Sequence, residues 1–226
     1  MNELVILTGP TAVGKTELSI ALAKRIHGEI ISADSIQVYK GMDIGSAKIT
    51  KEEMQGIPHY LIDVLEPTEE FNVHIFQQMA KKAISQIQSK GKIPIIVGGT
   101  GFYIQSVLYD IQFDETDENH VYRKELEQIA ANEGNEYLHN MLKEVDPVSA
   151  NEIHFNNIKR VIRALEYYHD TGKTISSHNH EQRENVSPYN FAYFVLNDKR
   201  ELLYNRIEKR VDIMLEKGLV EEVDKL

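Results

Sequence analysis

The chain has 226 residues, 42% of them hydrophobic and 27% charged, with no Cys and no Trp. That excludes disulfides, thiolate nucleophiles and Cys-based zinc sites, and no apolar stretch reaches the roughly 20 residues of a membrane-spanning helix. A formal net charge of −10 argues against a nucleic-acid binder unless a basic face is local, because a charge total does not report a patch.

The length allows one core and a smaller inserted unit. Residues 1–7 lead straight into a strand rather than a signal peptide, and the lack of Cys suits a reducing compartment. LVILTG (4–9) is a short apolar run ending in Gly. Lys15 to Ile26 follows as a helix, with Leu18, Ala21, Leu22 and Ile26 at helical spacing. EIISAD (29–34) reads as a strand buried on both faces and ending in a carboxylate. GMDIGSAK (41–48) reads as a loop, and HYLIDVL (59–65) as a further short strand. Val73, Phe76, Ala80, Ala83, Ile84 and Ile87 mark an amphipathic helix over 72–90, which Gly91 ends. IPIIVGG (93–99) has the composition of a central parallel strand.

Alternating strands and helices imply a parallel sheet with helices on both faces. Residues 114–188 break that alternation, with polar helical patterns punctuated by Gly134, Pro147 and Gly172 and no convincing strand. FAYFVL (191–196) restores a strand, and Leu203, Ile207, Val211 and Leu215 mark a long helix after it. The expected fold is therefore α/β: a P-loop NTPase-like parallel sheet flanked by helices over 1–113 and 189–226, with an all-helical insertion domain over 114–188. The ending at Leu226 lacks the polar composition of a typical terminus and reads as a truncation.

Gly9-Pro10-Thr11-Ala12-Val13-Gly14-Lys15-Thr16 fits G-x-x-x-x-G-K-[ST] in full, after a strand and at the start of a helix. In such a loop the glycines let backbone N–H groups point at phosphate oxygens. Lys15 neutralises the phosphates, and the Thr16 hydroxyl can ligate Mg²⁺. The motif specifies a di- or triphosphate without saying which. Ligands of open parallel sheets bind beyond the carboxyl ends of the strands, so Asp34 and Thr100 converge on the same site. From the residues alone, Asp34 is a general base, a metal ligand or a helix cap with Ser35. Thr100, in Gly98-Gly99-Thr100-Gly101, is a hydroxyl donor or the cap of a helix beginning near Phe102. No Asn-Lys-x-Asp segment is present, which sets regulatory GTPases aside.

Asp34-Ser35-Ile36-Gln37-Val38-Tyr39-Lys40-Gly41-Met42-Asp43-Ile44-Gly45-Ser46-Ala47-Lys48 closely resembles the signature of the tRNA dimethylallyltransferases (isopentenyltransferases). Ile57-Pro58-His59, Val97 to Gly101, Val145-Asp146-Pro147, Ile153-His154, Arg160 to Glu166, Gly172-Lys173-Thr174 and Arg206 to Arg210 extend the resemblance along the chain. Ser46 stands for a usual Thr, Ile49 for a frequent Pro and Phe155 for a usual Pro. The resemblance implies that such enzymes continue past this length with a Gly-Tyr-Lys-Glu-like motif and a basic helix, whose absence would explain the acidic balance here.

The resemblance implies transfer of a dimethylallyl group to the exocyclic amine of an adenine beside the anticodon of tRNA. Residues 9–16 would hold dimethylallyl diphosphate, with Mg²⁺ on Thr16, and Lys15 and Arg210 would stabilise the departing diphosphate, with Arg206 as the fallback. Thr100 would donate to the bridging oxygen. Asp34 would take the amine proton, and Ser35, Ile36 and Gln37 would border the extruded base. Lys159, Arg160 and Arg163, with Arg123, would contact the anticodon stem-loop. From the residues alone, Lys159, Arg160, Arg163 and Arg123 read as ordinary surface charge paired with Glu166, and Arg206 and Arg210 as a solvated helix face. The implied enzyme is cytoplasmic and monomeric. Transfer to free adenine nucleotides, a P-loop kinase using ATP and an inactive RNA-binding module remain open alternatives.

Overall fold

The computed structural model describes residues 2–113 and 121–226. The start of the expected insertion, at 114, lies outside the described residues. The chain divides into two compact units, one built from the segments ending at Asp110 and beginning at Ser187, the other from Ile111–Val186.

The first unit begins with β1 (Glu3–Thr8), α1 (Lys15–Ile26) and β2 (Gly28–Ala33). The short α2 (Lys51–Met54) follows, held by a capping box in which Thr50 and Glu53 bond each other's backbone N–H. Next come β3 (His59–Tyr60), α3 (Val73–Ser89), β4 (Ile93–Gly98) and α4 (Gly101–Leu108). The second unit is α5 (Val121–Glu133), α6 (Asn135–Val145), α7 (Pro147–Glu152), α8 (Ile158–Thr171) and α9 (Ile175–Arg183). β5 (Asn190–Val195), α10 (Arg200–Glu216) and α11 (Leu219–Val223) complete the first unit.

The five strands form one parallel sheet in the order β3-β2-β4-β1-β5. Side-chain alternation along the strands sends Ile30 and Ile95 to one face, where Ile20 and Ala23 of α1 cover them. Leu4, Ile6, Ile31 and Ile96 face the other way, against Phe76, Ala80 and Ile84 of α3 and Ile104 of α4. This double burial explains why the strands read as continuous apolar runs.

Three expectations change in detail. The strand expected over 59–65 stops at Tyr60, because Leu61 and Asp63 have left-handed backbones (φ 62 and 53) that cannot continue a ladder. The buried residues of α1 are Ser19, Ile20 and Ala23, while Leu18 is exposed and Leu22 and Ile26 only partly buried; two small side chains bring the helix close to the sheet. β5 is exposed at every residue. It is the edge strand beyond β1, and only Leu203 of the next helix is buried.

In the second unit, Leu126 of α5, Leu138 and Leu142 of α6, and Val161, Ile162 and Leu165 of α8 form a separate core.

Candidate active site

The register of the sheet creates the site. Thr8 pairs with Gly98 on one side and Val195 on the other, and Gly98 pairs with Ala33. Four strands therefore end level. The loops after β1, β2 and β4 leave the sheet side by side, bringing the 9–16 loop, Asp34 and the Gly99-Thr100 turn to one edge.

A cavity of about 590 Å³ opens there. Its floor is the turn from Thr11 to Thr16, with Gly98 and Gly99 beside it, and its opposite wall carries Asp34, Ile36 and Gln37. Gly14 immediately precedes α1 with a left-handed backbone (φ 94), a conformation that costs glycine little and other residues more. The chain thus turns into α1, whose first residues Lys15 and Thr16 line the cavity, and a helix N-terminus favours an anion. The Lys15 ammonium donates to the carbonyls of Gly9 and Pro10 at 2.8 Å each.

Burial lowers the Lys15 pKa, and the nearby Arg210 guanidinium lowers it further, while Asp34 opposes both. Arg210 projects from α10 into the cavity wall with Ile207, Val211 and Met214. Two cations thus converge beside a half-exposed carboxylate, an arrangement whose mutual repulsion a polyanion relieves.

Asp34 caps a turn rather than a helix, since its Oδ1 accepts the N–H groups of Ile36 (2.9 Å) and Gln37 (3.3 Å). That fixes the carboxylate by one oxygen and leaves the other directed to its surroundings. The Gln37 amide donates to the carbonyls of Ser46 (3.2 Å) and Ala47 (3.4 Å) and accepts from Ser32 (3.3 Å). It ties the 41–48 loop to β2.

Gly9, Pro10, Ser35 and Thr100 flank the cavity without lining it. Thr100 does occupy the N-cap position of α4, but its hydroxyl makes no capping hydrogen bond. Arg206 is committed elsewhere, paired with Asp198 (2.9 Å) and donating to Ala12 O (3.5 Å). No ion pair engages Arg210 among the described residues, which favours it over Arg206 for an anion.

Ser32, His59 and the 45–49 segment also line the cavity, and none of them is among the site residues expected from sequence. His59 Nδ1 lies 2.8 Å from Ile57 O, so that nitrogen carries the proton and donates. Burial holds the ring's pKa below its ordinary value against that hydrogen bond. The Ile57-Pro58-His59 motif was the available signal.

The basic residues expected to meet RNA lie in the second unit. Lys159 and Arg160 are exposed on α8, and Arg163 is half-buried. Arg123 makes a bidentate pair with the buried Glu166 (2.8 and 2.6 Å), clamping α5 to α8.

Among the oxygen donors lining the cavity are the Thr16 hydroxyl and the Asp34 carboxylate. Among the described residues no cluster of three or more His, Asp or Glu forms a protein cage for a metal. Mg²⁺ commonly takes one or two protein oxygens and completes its shell with substrate phosphates and water, so this donor set fits such an ion. No helix among the described residues is long and apolar enough to cross a membrane.

The profile of the IPP transferase family matches residues 37–226. A tRNA dimethylallyltransferase of Lachnoclostridium phytofermentans is 66% identical over 99% of the chain and 71% of its own length. Its counterpart in Acetivibrio thermocellus is 56% identical over 100% and 72%. Among solved structures, the tRNA isopentenylpyrophosphate transferase of Bacillus halodurans aligns with a TM-score of 0.69 at 47% identity, over 100% of this chain and 70% of that one. A eukaryotic dimethylallyltransferase acting on tRNA aligns with a TM-score of 0.85 at 35% identity, over 100% and 56%. With the family profile and these relatives in agreement, the chain belongs to the IPP transferase family, that of the tRNA dimethylallyltransferases.

Proposed function

We propose that the chain transfers the dimethylallyl group of dimethylallyl diphosphate to the exocyclic amine of the adenine on the 3′ side of the anticodon in tRNA, releasing diphosphate. The observation that carries this reading is the single cavity in which Lys15 and Arg210 converge beside Asp34.

The backbone of residues 9–16 and Lys15 bind the diphosphate, and Arg210 adds a second cation where negative charge accumulates. Thr16 would hold Mg²⁺, with Asp34 near by, and the bound ion would add to the neutralisation of the leaving diphosphate. Breaking the allylic carbon–oxygen bond sends its electron pair to the diphosphate, and Thr100 donates toward the oxygen that departs. The amine nitrogen forms the new bond to the allylic carbon. Its proton passes to the outward oxygen of Asp34, which offsets the poor nucleophilicity of an amine conjugated with the purine ring.

A base stacked in a loop cannot reach such a cavity, so the adenine turns out of the stack. Ser35, Ile36 and Gln37 border it, and Lys159, Arg160 and Arg163, with Arg123, grip phosphates of the stem-loop. The chain works as a monomer in the cytoplasm, where unmodified tRNA is found.

The test is transfer of radiolabel from dimethylallyl diphosphate to an unmodified anticodon stem-loop with Mg²⁺, using wild type and Asp34→Ala. Label in the RNA, reduced about 10²–10⁴-fold by the substitution, is expected. Label on free AMP or ADP alone identifies a nucleotide prenyltransferase instead. ATP consumption without prenyl transfer identifies a kinase.

A further inference from the structure

The 41–48 loop forms one wall of the cavity through Gly45, Ser46 and Ala47. α10 forms another wall through Ile207, Arg210 and Met214. Neither wall belongs to the sheet, so something else must hold them in register.

Glu222 of α11 touches the loop in a specific way. Its Oε2 accepts the N–H groups of Asp43 (2.8 Å) and Ile44 (2.7 Å), and its Oε1 accepts that of Gly45 (2.9 Å). Three consecutive backbone donors converging on one carboxylate make an anion nest filled by the protein itself. A Cβ at Gly45 would meet Leu219 Cδ1 at 3.1 Å, a tight contact, and Glu222 Oε1 at an ordinary 3.5 Å.

The loop is anchored from its other side too. Lys48, its side chain nearly buried, donates to Tyr39 O (2.7 Å) and pairs with Asp43 (2.6 Å) and Asp63 (2.5 Å). Gln37 then links Ser46 and Ala47 to the turn that Asp34 caps. A continuous run of hydrogen bonds therefore leads from Glu222 through the loop to the carboxylate proposed as base. Desolvation opposes ionisation of Glu222, but the Gly45, Ile44 and Asp43 N–H groups and the Lys48 charge outweigh it and hold the carboxyl below its ordinary range.

We propose that Glu222 is a positioning residue for prenyl transfer, tying α11 to the loop that Gln37 links to the Asp34 turn. The inference rests on the function proposed above. Glu222 touches no substrate and acts by fixing the acceptor side of the cavity. A misplacement of about 1 Å at a reacting pair can cost 10²-fold in rate. Among the described residues, none of the Glu222 hydrogen bonds reaches the 9–14 loop, which β1 and α1 flank.

The experiment compares wild type, Glu222→Gln and Glu222→Ala in label transfer to the anticodon stem-loop, with pyrophosphate binding, thermal midpoint and amide hydrogen exchange measured alongside. For Glu222→Ala the expected result is a fall of roughly 10–100-fold in kcat/KM for the stem-loop. Pyrophosphate affinity stays within about twofold, and exchange quickens at Asp43, Ile44 and Gly45 while the P-loop amides keep their protection. Glu222→Gln, which keeps one acceptor oxygen and loses the charge, falls between. Equal weakening of both substrates with a lowered midpoint marks a merely structural residue and overturns the proposal. So does wild-type transfer by Glu222→Ala, or unchanged exchange at 43–45. A wild-type chain that transfers no label removes instead the functional reading on which the proposal stands.

Discussion

His59 shares the cavity with Asp34 and Lys15 but turns its Nδ1 back to the segment just before its strand, where it donates to Ile57 O. Its folded pKa is depressed, so between that value and the ordinary one the unfolded chain binds the extra proton. Stability therefore falls as pH drops through about 6.5, the unperturbed histidine value, and levels off below the folded pKa. Urea midpoints at pH 7.5 and 5.5 should differ in wild type and draw together in His59→Gln; an identical gap in both proteins refutes the assignment. Lys15 carries a second expectation at this scale. With Lys15→Ala, pyrophosphate affinity measured by calorimetry should fall by about 10²-fold, a size normal for removal of a charge-assisted hydrogen bond in a shielded site. Retained affinity would mean that the backbone of the loop suffices. The cavity position of His59 was not legible in the sequence beyond its place in a motif, because a lone histidine two residues from an isoleucine says nothing about a cavity. Lys15 was legible, since its chemistry and its spacing belong to one local turn.

At the scale of elements, Asp146 shows how a single carboxylate can start two helices. Its oxygens accept the Ser149 N–H (3.0 Å) and hydroxyl (2.6 Å) at the start of α7. They also accept the Ser176 N–H (3.0 Å) and hydroxyl (2.6 Å) in the first turn of α9. Desolvation opposes the charge, and these four donors overcome it, leaving the carboxyl below its ordinary range. The stability it contributes is present above the unfolded carboxylate pKa of about 3.9 and is lost as pH falls through the lower folded value. Asp146→Ala should cost about 2–4 kcal/mol, since it removes the N-cap of α7, an acceptor for the first turn of α9 and the buried partner of two hydroxyls. Chemical denaturation checks this, and a destabilisation below about 1 kcal/mol would show that water replaces the carboxylate. Asp146-Pro147 carries a local signal for the α7 cap, a pair that begins helices, which reading it only as punctuation and as part of the resemblance leaves unused. The link to α9, 30 positions along the chain, has no such signal, because no local rule connects them.

For the whole molecule, the formal charge of −10 sets a limit on how RNA can be held. Binding must come from local cations, and Lys159 and Arg160 stand exposed on α8. Arg123 is engaged by Glu166, with its side chain still 40% exposed. Replacing Lys159 and Arg160 together by Ala should weaken stem-loop binding and flatten its dependence on log salt by about 1.5 units, some 0.7–0.9 for each phosphate no longer neutralised. Pyrophosphate binding should not change. A slope equal to wild type would place the RNA on another face.

The sequence by itself determined the phosphate loop, the alternation of strands and helices, the helical interruption and the family, because each depends on residues close together in the chain. Turn geometry, helical period and motif order are local properties, and they survive without knowledge of contacts. Only the tertiary structure decided that β1, β2 and β4 end level, since register is a relation between strands. It also decided that β5 is an exposed edge and that α1 buries small residues rather than Leu18. The meeting of Glu222 with an N–H nest more than 170 residues away in sequence belongs to the same class. A carboxylate and a glycine loop carry no mark of their partner; folding makes them neighbours, and only then does their chemistry become a site.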